Sequence, residues 1–512
     1  MTTSPSRRAP ARCTLDQVVA HWARLQPERA ALRWQGSAEP PLSWGQLQRR
    51  IVRTAQALRA DVAACEAVAV VCASSNAFHV LVNALWRLGA GVVLVDRNWG
   101  PAIVLDLISL VGCRTLFADA AQAIPAIAGV RRRAIPDLTG DDVAVADDTA
   151  PVEPDVDRVA IYATTSGTTD NPKCVVITHR QIRAAYDACL SAHDFGAVAS
   201  CACLFEVNSL GVLGVCFLLQ REIGAGTTVF PSFSLANIGE SWQAVMVGEF
   251  GFVYLVPPLV RLLNTLPPQR PEARHLLAFC SAAPVAEAEL RRLESRYALR
   301  AFNSYGLTEL TFAVFFGCRA EDGGASESIG RPVGIQARLV DDAGQLVPGA
   351  GTGELHIAGP MLTAGYLRNP RATSASWDAG WLRTGDIAER DEEGRYYLRG
   401  RKKDVVLRGG YTYYLHELEH YLRRAPAVVD ACAFKGRDLP SGDELCVVVQ
   451  AVEPIAAEVL LGWIREHLGA TKLPNALYVW HCALPRNSNG KIQRNVLSQL
   501  HLQGRMHTEE TT

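Results

Sequence analysis

Short apolar runs rich in β-branched residues alternate, along the front part of the chain, with longer stretches in which apolar residues recur at helical spacing. Such alternation is typical of α/β layers with mostly parallel sheets. Pro257 and Pro258 are expected to end the strand before them. The predicted strands are 67–72, 91–95, 159–163, 174–178, 227–230, 252–256, 276–281 and 300–303, and the predicted helices are 78–88, 236–248 and 285–297.

The pattern changes in the later part of the chain. From about Gly353 it becomes short strands with glycine-rich turns, and a further αβ unit begins near Val405. We therefore predict an α/β fold. A large N-terminal domain of layered αβ subdomains plus a β-rich subdomain is followed by a small α+β C-terminal domain.

Length and charge limit the classes of function. At 512 residues the chain is long enough for two to four domains, and its 51 basic residues balance 52 acidic ones. This balance gives no indication of binding to nucleic acid or to an anionic membrane. The longest apolar run, 210–219, is too short to span a bilayer, and the N-terminus lacks the apolar core of a signal peptide. We expect a cytoplasmic protein.

The 14 cysteines include no C-x-x-C pair, and most stand in apolar surroundings. Reduced core thiols are favoured over disulfides or a metal site.

A hydroxyl-rich loop is the most informative stretch of the chain. Residues 162–173 read Y-A-T-T-S-G-T-T-D-N-P-K and lie between two predicted strands. Hydroxyls, backbone N–H groups and one ammonium on a tight turn suit a polyphosphate. The spacing is not G-x-x-x-x-G-K-[ST], so a kinase or GTPase is not indicated. A simple polar hairpin turn is the alternative.

Four later segments carry further polar residues. In 303–309 (N-S-Y-G-L-T-E), the ring of Tyr305 can cover a purine, and the carboxylate of Glu309 can bind Mg²⁺. Asp386 follows a glycine turn and suits a ribose diol. Arg401 lies in a charged run and Lys491 on a glycine-led loop. Singly, Tyr305 is equally consistent with a core residue. Glu309 is more simply a helix-start acid, Arg401 and Lys491 are more simply surface charges, and Asp386 in an isolated T-G-D is a weak signal.

Taken together and in order, the segments resemble the acyl-adenylate-forming superfamily of acyl- and aryl-CoA synthetases, peptide-synthetase adenylation domains and luciferases. The resemblance extends from Trp44 to Lys491 and includes Gly353-Glu354-Leu355 and Gly365-Tyr366. It implies ATP and Mg²⁺ as cofactors and an acyl-AMP intermediate.

The resemblance also assigns roles to residues. Lys491, Thr308, Glu309 and Arg401 would be catalytic, with Glu309 as the metal ligand. The expected nucleotide contacts are Thr165, Ser166, Gly167, Thr168, Thr169, Lys173, Ser281, Ala282, Ala283, Asn303, Tyr305, Gly306, Asp386 and Arg401.

The domain organisation implied by the resemblance is a core over 1–400, a hinge over 401–404 and a mobile C-terminal domain over 405–512. Lys403 would be the hinge residue. Rotation about it would withdraw Lys491 after the first step and open the acyl-adenylate to attack by CoA, by a carrier-protein thiol or by an amine.

The expected acyl pocket includes Phe205, Glu206, Asn208 and Ser209. Its mixed lining favours a compact or functionalised acid, as in specialised biosynthesis. An acidic residue at Glu206 suggests a substrate carrying a cationic group, although pairing with a nearby Arg or Lys is an equal alternative. We expect a monomer or homodimer.

Three departures from the family pattern leave a second hypothesis open. Asp170 and Cys174 stand where the phosphate loop usually has glycine, and Glu206 stands where CoA ligases carry an aromatic or histidine residue. The chain is then either an active ligase with weakened ATP affinity, or a degenerate member that binds a nucleotide or acyl-adenylate as a sensor or partner.

Overall fold

The computed structural model describes residues 8–10, 12–37, 40–97, 99–119, 124–136, 155–164, 173–195, 198–205, 210–230, 237–268, 276–281, 285–317, 328–402, 404–408, 411–440, 442–486 and 491–506. The chain divides into two compact units. The first unit is Met1–Gln336 with Ala358–Leu382, and the second is Ala337–Ile357 with Arg383–Thr512.

Strands and helices alternate through most of the described chain. The strands are β1 (Ala30–Trp34), β2 (Leu42–Ser43), β3 (Ala67–Val71), β4 (Gly91–Leu94), β5 (Thr115–Ala118), β6 (Arg131–Ala134), β7 (Val159–Thr164), β8 (Cys174–Thr178), β9 (Ser200–Cys203), β10 (Gly226–Val229), β11 (Phe252–Leu255), β12 (Leu277–Cys280), β13 (Arg300–Gly306), β14 (Ala313–Phe316), β15 (Ser328–Pro332), β16 (Gln336–Val340), β17 (Gly351–Ala358), β18 (Trp377–Asp378), β19 (Trp381–Arg390), β20 (Tyr396–Arg401), β21 (Val405–Arg408), β22 (Tyr411–Tyr414), β23 (Val428–Leu439), β24 (Gly442–Ala451) and β25 (Ala476–Trp480).

The helices are α1 (Leu15–Leu25), α2 (Trp44–Leu58), α3 (Asn76–Arg87), α4 (Pro101–Val111), α5 (His179–Ala192), α6 (Leu210–Val212), α7 (Leu219–Glu222), α8 (Ile238–Val247), α9 (Pro257–Leu263), α10 (Glu287–Tyr297), α11 (Pro370–Ser376), α12 (Leu415–Leu422), α13 (Ala457–Leu468) and α14 (Arg494–Leu502). A π-helical turn, Leu213–Leu218, joins α6 to α7, and 3₁₀ turns cover Thr308–Leu310 and Ala470–Lys472.

The first unit contains two mainly parallel sets of strands, which confirms the predicted α/β class. One sheet has the order β6-β5-β3-β4-β7-β8, in which only the β7–β8 pair is antiparallel. The other set runs β15-β14-β13-β12-β11-β9-β10-β1-β2 and is parallel from β13 to β1. Helices α8, α9 and α10 cover one face of the second set in a single buried cluster.

The predicted strand end before Pro257 is confirmed, and Pro257 also opens helix α9, because a proline fits the first turn of a helix, where its missing N–H is not needed. One predicted boundary was wrong. Strand β13 extends to Gly306, beyond the predicted end at Asn303, since Ser304 to Gly306 pair with the antiparallel strand β14.

The second unit contains two sheets. One has the order β16-β17-β19-β20, and the other has the order β22-β21-β24-β23 with β25 parallel to β24. Side chains alternate across β23 and β24, so Leu445, Val447 and Val449 pack with α12 and α13 while Cys446 and Val448 pack with α14.

Among the cysteines of the described ranges, all but Cys65 and Cys482 are buried. The described helices include none that is both long and apolar enough to cross a membrane.

Candidate functional site

The turn that carries Glu309 is held in place by an unusual backbone. Gly306 ends β13 where a Cβ atom would lie 2.4 Å from the carbonyl oxygen of Phe312, so only glycine fits. Thr311 has a φ of 65°, a strained value for a β-branched residue, and its hydroxyl donates to the carbonyl of Met361 at 2.8 Å. Such strain persists only where the surrounding structure imposes it, and it is concentrated at functional sites.

Tyr366 connects Glu309 to the end of the hydroxyl-rich loop. Its phenol donates to Oε1 of Glu309 at 2.6 Å, and the Lys173 ammonium lies 4.7 Å from the centre of its ring. The backbone N–H of Leu367 donates to the carbonyl of Cys174 at 2.7 Å, which attaches this segment to β8. The structure therefore brings together two predicted site residues, Lys173 and Glu309, through a third residue.

A tryptophan supports Tyr366 from the side. The rings of Tyr366 and Trp377 meet edge to face with centroids 5.0 Å apart, and the Trp377 indole donates to the carbonyl of Thr363 at 2.9 Å. The N–H of Thr363 in turn donates to the carbonyl of Glu309 at 2.9 Å. Side chain and backbone of Glu309 are thus both held by this one segment.

Cys174 is a core residue. It lies on β8 and packs in a buried cluster with Val71, Val93 and Leu116. Burial raises the pKa of its thiol to about 12, which keeps the thiol neutral. The cysteine that replaces the family's usual glycine therefore packs in this buried cluster and adds no charge.

Asn303 forms two hydrogen bonds with the backbone of Val285, which precedes α10. Its amide donates to the carbonyl of Val285 at 2.8 Å and accepts from the N–H of Val285 at 3.2 Å. Ser304 donates to the carbonyl of Cys280 at 3.1 Å. Asn303 is buried, and these two hydrogen bonds pair its amide group with Val285. Its predicted contact with the nucleotide stays a prediction.

Aromatic side chains form part of the expected acyl pocket. Phe205 meets Tyr254 edge to face with centroids 5.7 Å apart. Burial raises the pKa of Tyr254. Tyr305 is also buried and meets Phe315 edge to face at 5.7 Å.

In the second unit, Asp386 and Arg401 form an ion pair. They face each other across the antiparallel strands β19 and β20, and Arg401 Nε lies 2.8 Å from Asp386 Oδ1. The Asp386 side chain is only 6% exposed, so this charge is compensated mainly by its partner.

Lys491 belongs to the same group of charges. It is exposed as a residue, yet partial removal of the ammonium from water, followed by the Arg401 charge, lowers the pKa of Lys491. The charges of Asp386 and Asp404 oppose that effect. The structure therefore places Lys491, Asp386 and Arg401 within electrostatic reach of one another in one unit.

Two arginines anchor the segment that carries Lys491. Arg486 Nη2 lies 2.5 Å from Asp430 Oδ2 before the loop, and Arg494 bonds both Asp404 and Glu419 at 2.6 Å after it. The loop is closed between them by a β-bridge from Arg486 to Ile492. Sequence reasoning missed these anchors, and also Tyr366, whose only signal was the Gly-Tyr pair.

Several predicted residues lie outside the described ranges, and their roles stay predictions. They are Thr165, Ser166, Gly167, Thr168, Thr169, Asp170, Glu206, Asn208, Ser209, Ala282, Ala283 and Lys403.

Comparison with known proteins gives consistent matches. The sequence model of a family described as AMP-binding enzyme matches residues 19–367. Feruloyl-CoA synthase from Amycolatopsis sp is 30% identical over 490 residues, covering 92% of this chain and 95% of that protein. Probable CoA ligase CCL9 from Humulus lupulus is 28% identical over 356 residues, which is 67% of this chain and 66% of that protein.

Solved structures agree in fold. O-succinylbenzoate coenzyme A synthetase from Bacillus subtilis, in complex with AMP, matches with a TM-score of 0.81 at 23% identity, covering 94% of this chain and 97% of that chain. ATP-bound MatB from Rhodopseudomonas palustris matches with a TM-score of 0.83 at 22% identity, covering 95% and 99% respectively. At these identities the similarity establishes the fold.

Proposed function

Because the chain belongs to the AMP-binding enzyme family of the acyl-adenylate-forming superfamily, we propose that it is an AMP-forming acid–CoA ligase. It converts a carboxylic acid and ATP into acyl-AMP and pyrophosphate, and then transfers the acyl group to CoA. The observation that carries this proposal is the Asp386–Arg401 ion pair, which offers a carboxylate suited to a ribose in the same unit as Lys491.

The first unit supplies the groups for the polyphosphate. Lys173 and the hydroxyls of 165–169 bind the β- and γ-phosphates. A bound Mg²⁺ would offset charge on the leaving pyrophosphate, and the Glu309 carboxylate, oriented by Tyr366, is the oxygen ligand that such an ion requires. Tyr305 stacks on the adenine.

Adenylation needs a positioned cation and no general base. A carboxylate is already ionised at neutral pH, and its oxygen attacks the α-phosphorus as the bond to pyrophosphate breaks. Lys491 and Thr308 meet the negative charge that builds on the α-phosphate, a contribution of roughly 3–4 kcal/mol from one well-placed donor. Asp386 holds the ribose hydroxyls, with Arg401 as an additional donor.

Thioester formation follows from the same intermediate. The CoA sulfur attacks the acyl carbon, the thiol proton leaves to solvent, and AMP departs with the bonding electrons. Lys491 must withdraw from the acyl carbon for this step, so the hinge over 401–404 and the mobile domain over 405–512 remain part of the proposal.

The acyl substrate is proposed to be compact or aromatic. Phe205 and Tyr254, whose rings meet edge to face, would give the acyl pocket an aromatic surface. Relatives of this chain include proteins named for small or aromatic acids, namely sulfoacetate–CoA ligase from Cupriavidus necator and feruloyl-CoA synthase. Glu206 would then select among functional groups on the acid.

A sensor without turnover gains no support from the described site. Asp386 and Arg401 are paired in the second unit, the Glu309 carboxylate accepts a hydrogen bond from Tyr366 in the first, and Cys174 lies in the core. These features support the active ligase.

Pyrophosphate exchange into ATP, measured across a panel of short, aromatic and amine-bearing acids, tests the adenylation step and identifies the acid. We expect exchange with at least one compact acid and its loss in Lys491→Ala. The same acid is then offered with CoA, a carrier protein or an amine. Absence of exchange with every acid would contradict the ligase, and transfer only to a carrier or amine would contradict CoA as the acceptor.

A further inference from the structure

Three metal-ligating side chains meet in the second unit, away from the residues assigned to the proposed reaction. Glu444 and Cys446 stand two positions apart on β24 and therefore point to the same face of the sheet, where His501 of α14 lies over them. His501 Nε2 is 3.0 Å from Glu444 Oε2 and 3.5 Å from Cys446 Sγ. The three ligand atoms all lie within 4.8 Å of one another.

The group is enclosed by protein. Cys446 is fully buried, and His501 and Glu444 are 6% and 9% exposed. Burying Glu and His side chains costs free energy unless hydrogen-bond or metal partners replace the lost contacts with water. Among the described residues, this is the group of three or more His, Cys, Asp and Glu side chains with spacing that suits a metal ion.

Gly436 leaves a space at the centre of the group. A Cβ atom built at this position on β23 would lie 2.5 Å from Glu444 Oε2, 2.8 Å from Cys446 Sγ and 2.9 Å from His501 Nε2. The backbone of Gly436 has no positive φ, so its conformation does not demand glycine. Glycine suits this position because the Cβ atom of any other residue would approach all three ligand atoms closely.

The spacing of the ligand atoms suits a tetrahedral ion. Zinc binds imidazole nitrogen and carboxylate oxygen at about 2.0–2.2 Å and thiolate sulfur at about 2.3 Å, with adjacent ligand atoms separated by roughly 3.3–3.6 Å. The observed separations of 3.0 and 3.5 Å between ligand atoms are close to those values.

Outer contacts orient two of the three ligands. Tyr478 Oη lies 2.9 Å from His501 Nδ1, so a proton on Nδ1 can be donated to the phenol while Nε2 keeps its lone pair toward the group. The backbone N–H of Arg437 donates to Glu444 Oε2 at 2.8 Å. Metal-binding histidines are commonly fixed in this way through their second nitrogen.

We propose that Glu444, Cys446 and His501 bind one Zn²⁺ ion, with a water molecule as the fourth ligand. Cys446 binds as the thiolate, and its proton passes to solvent. The sequence favoured core thiols over a metal site, and Cys446 is the exception to that expectation. The ion joins the β23–β24 hairpin to α14, the helix that begins at Arg494, directly after the segment carrying Lys491.

Metal content and cobalt spectroscopy test the proposal on the full-length chain. The protein is stripped with a chelator, refilled with Zn²⁺ or Co²⁺, desalted, and assayed for bound metal and for thiolate-to-cobalt charge-transfer absorption. We expect about one ion per chain, a thiolate–cobalt band, and a higher unfolding temperature with Zn²⁺. Glu444→Gln, which keeps the size of the side chain, and Cys446→Ala should bind at least tenfold more weakly.

Cys432→Ala is the matched control, because Cys432 is buried in the same cluster as Cys446 on the neighbouring strand. It should bind Zn²⁺ as the wild type does. If Cys446→Ala fails to fold, Glu444→Gln and the cobalt spectrum of the wild type still decide the matter. A folded wild-type chain without stoichiometric zinc or a thiolate–cobalt band, or variants that bind as tightly as the control, would overturn the proposal.

Discussion

At the residue scale, Tyr366 joins two groups that are proposed to meet the nucleotide. Its hydroxyl bonds Glu309, which lies 57 positions away in the chain, and its ring lies under the Lys173 ammonium. A cation over an aromatic face is favourable, and a hydrogen bond to a carboxylate is stronger than one between neutral groups. One side chain thus orients both a metal ligand and a phosphate-binding cation.

Tyr366→Phe removes the hydroxyl and keeps the ring. We expect kcat/KM for ATP to fall about 10- to 100-fold, since a hydrogen bond to a charged group contributes roughly 1.5–3 kcal/mol. The Mg²⁺ concentration needed for half-maximal exchange should rise. Tyr397→Phe, which loses a comparable bond to Asp391 in the second unit, serves as the control. Equal kinetics in wild type and Tyr366→Phe would refute the orienting role.

Lys491→Ala separates the two half-reactions. Pyrophosphate exchange should fall by about 10²–10³-fold, because the cation acts on charge that develops at the α-phosphate. Thioester formation from supplied acyl-AMP should be nearly unchanged. Lys472→Ala, a lysine substitution elsewhere in the second unit, is the control. Equal loss in both steps would show that the lysine has a different role.

At the element scale, the segment carrying Lys491 depends on the ends of its neighbours. Arg494, at the start of α14, bonds Asp404, Glu419 and the carbonyl of Ala433, and so ties α14 to α12 and β23. The forked guanidinium suits two carboxylates at once, which an ammonium does not.

Arg494→Ala leaves Glu419, whose side chain is 6% exposed, with one cation partner fewer. We expect the free energy of unfolding to fall by roughly 3 kcal/mol, together with a loss of adenylation rate as the Lys491 segment loses its anchor. Chemical denaturation and exchange assays measure the two effects. Arg465→Ala, on the exposed side of α13, should change neither. A stable, fully active Arg494→Ala protein would show that Arg494 does not anchor the Lys491 segment.

The surroundings of Glu354 on β17 indicate that the stability of the fold decreases at low pH. His356 and the Lys402 ammonium, 3.0 Å away, lower the pKa of Glu354 to about 2, against a partial burial that raises it. A carboxyl group whose pKa is lowered by folding stabilises the fold at pH values above 4.5, the pKa of the same group in the unfolded chain. This contribution is lost as the pH falls toward 2.

Glu354→Gln should therefore be less stable than wild type at neutral pH, by up to about 3 kcal/mol, and the difference should disappear at low pH. Urea denaturation at a series of pH values measures it. Glu458→Gln is a control for the loss of one carboxylate. A difference that is independent of pH would exclude ionisation as its cause.

At the scale of the whole molecule, the two units have separate buried clusters in the described chain. Leu293 belongs to a buried cluster of the first unit, and Ile464 belongs to a buried cluster of the second. Both side chains are fully buried. Chains made of more than one compact unit commonly depart from two-state unfolding, so we expect two transitions on heating.

Ile464→Ala should lower one calorimetric transition and Leu293→Ala the other, each by the 2–5 kcal/mol typical of a buried large-to-small change. The two variants are mutual controls. If each substitution shifted the whole unfolding curve equally, the units would unfold as one.

The elements inferred from the pattern of apolar residues, and the position of the hydroxyl-rich loop between β7 and β8, were predictable from the sequence, whereas others such as α2, α5 and β9 were not predicted. Strand 174–178 was predicted with its observed bounds, and the ends of most other elements shifted by one or two residues. These features depend on side-chain periodicity and turn residues within a few positions, which are local properties. Pro257 shows the limit, because the same residue can end a strand and begin a helix.

The sequence by itself therefore determined the α/β class and the family resemblance, since both follow from local patterns and ordered motifs. Only the tertiary structure decided that Tyr366 reaches Glu309, that Asp386 faces Arg401, and that His501 lies over Glu444 and Cys446. The reason is physical: these contacts join residues far apart in the chain. They depend on strand register and helix packing, which local periodicity does not specify.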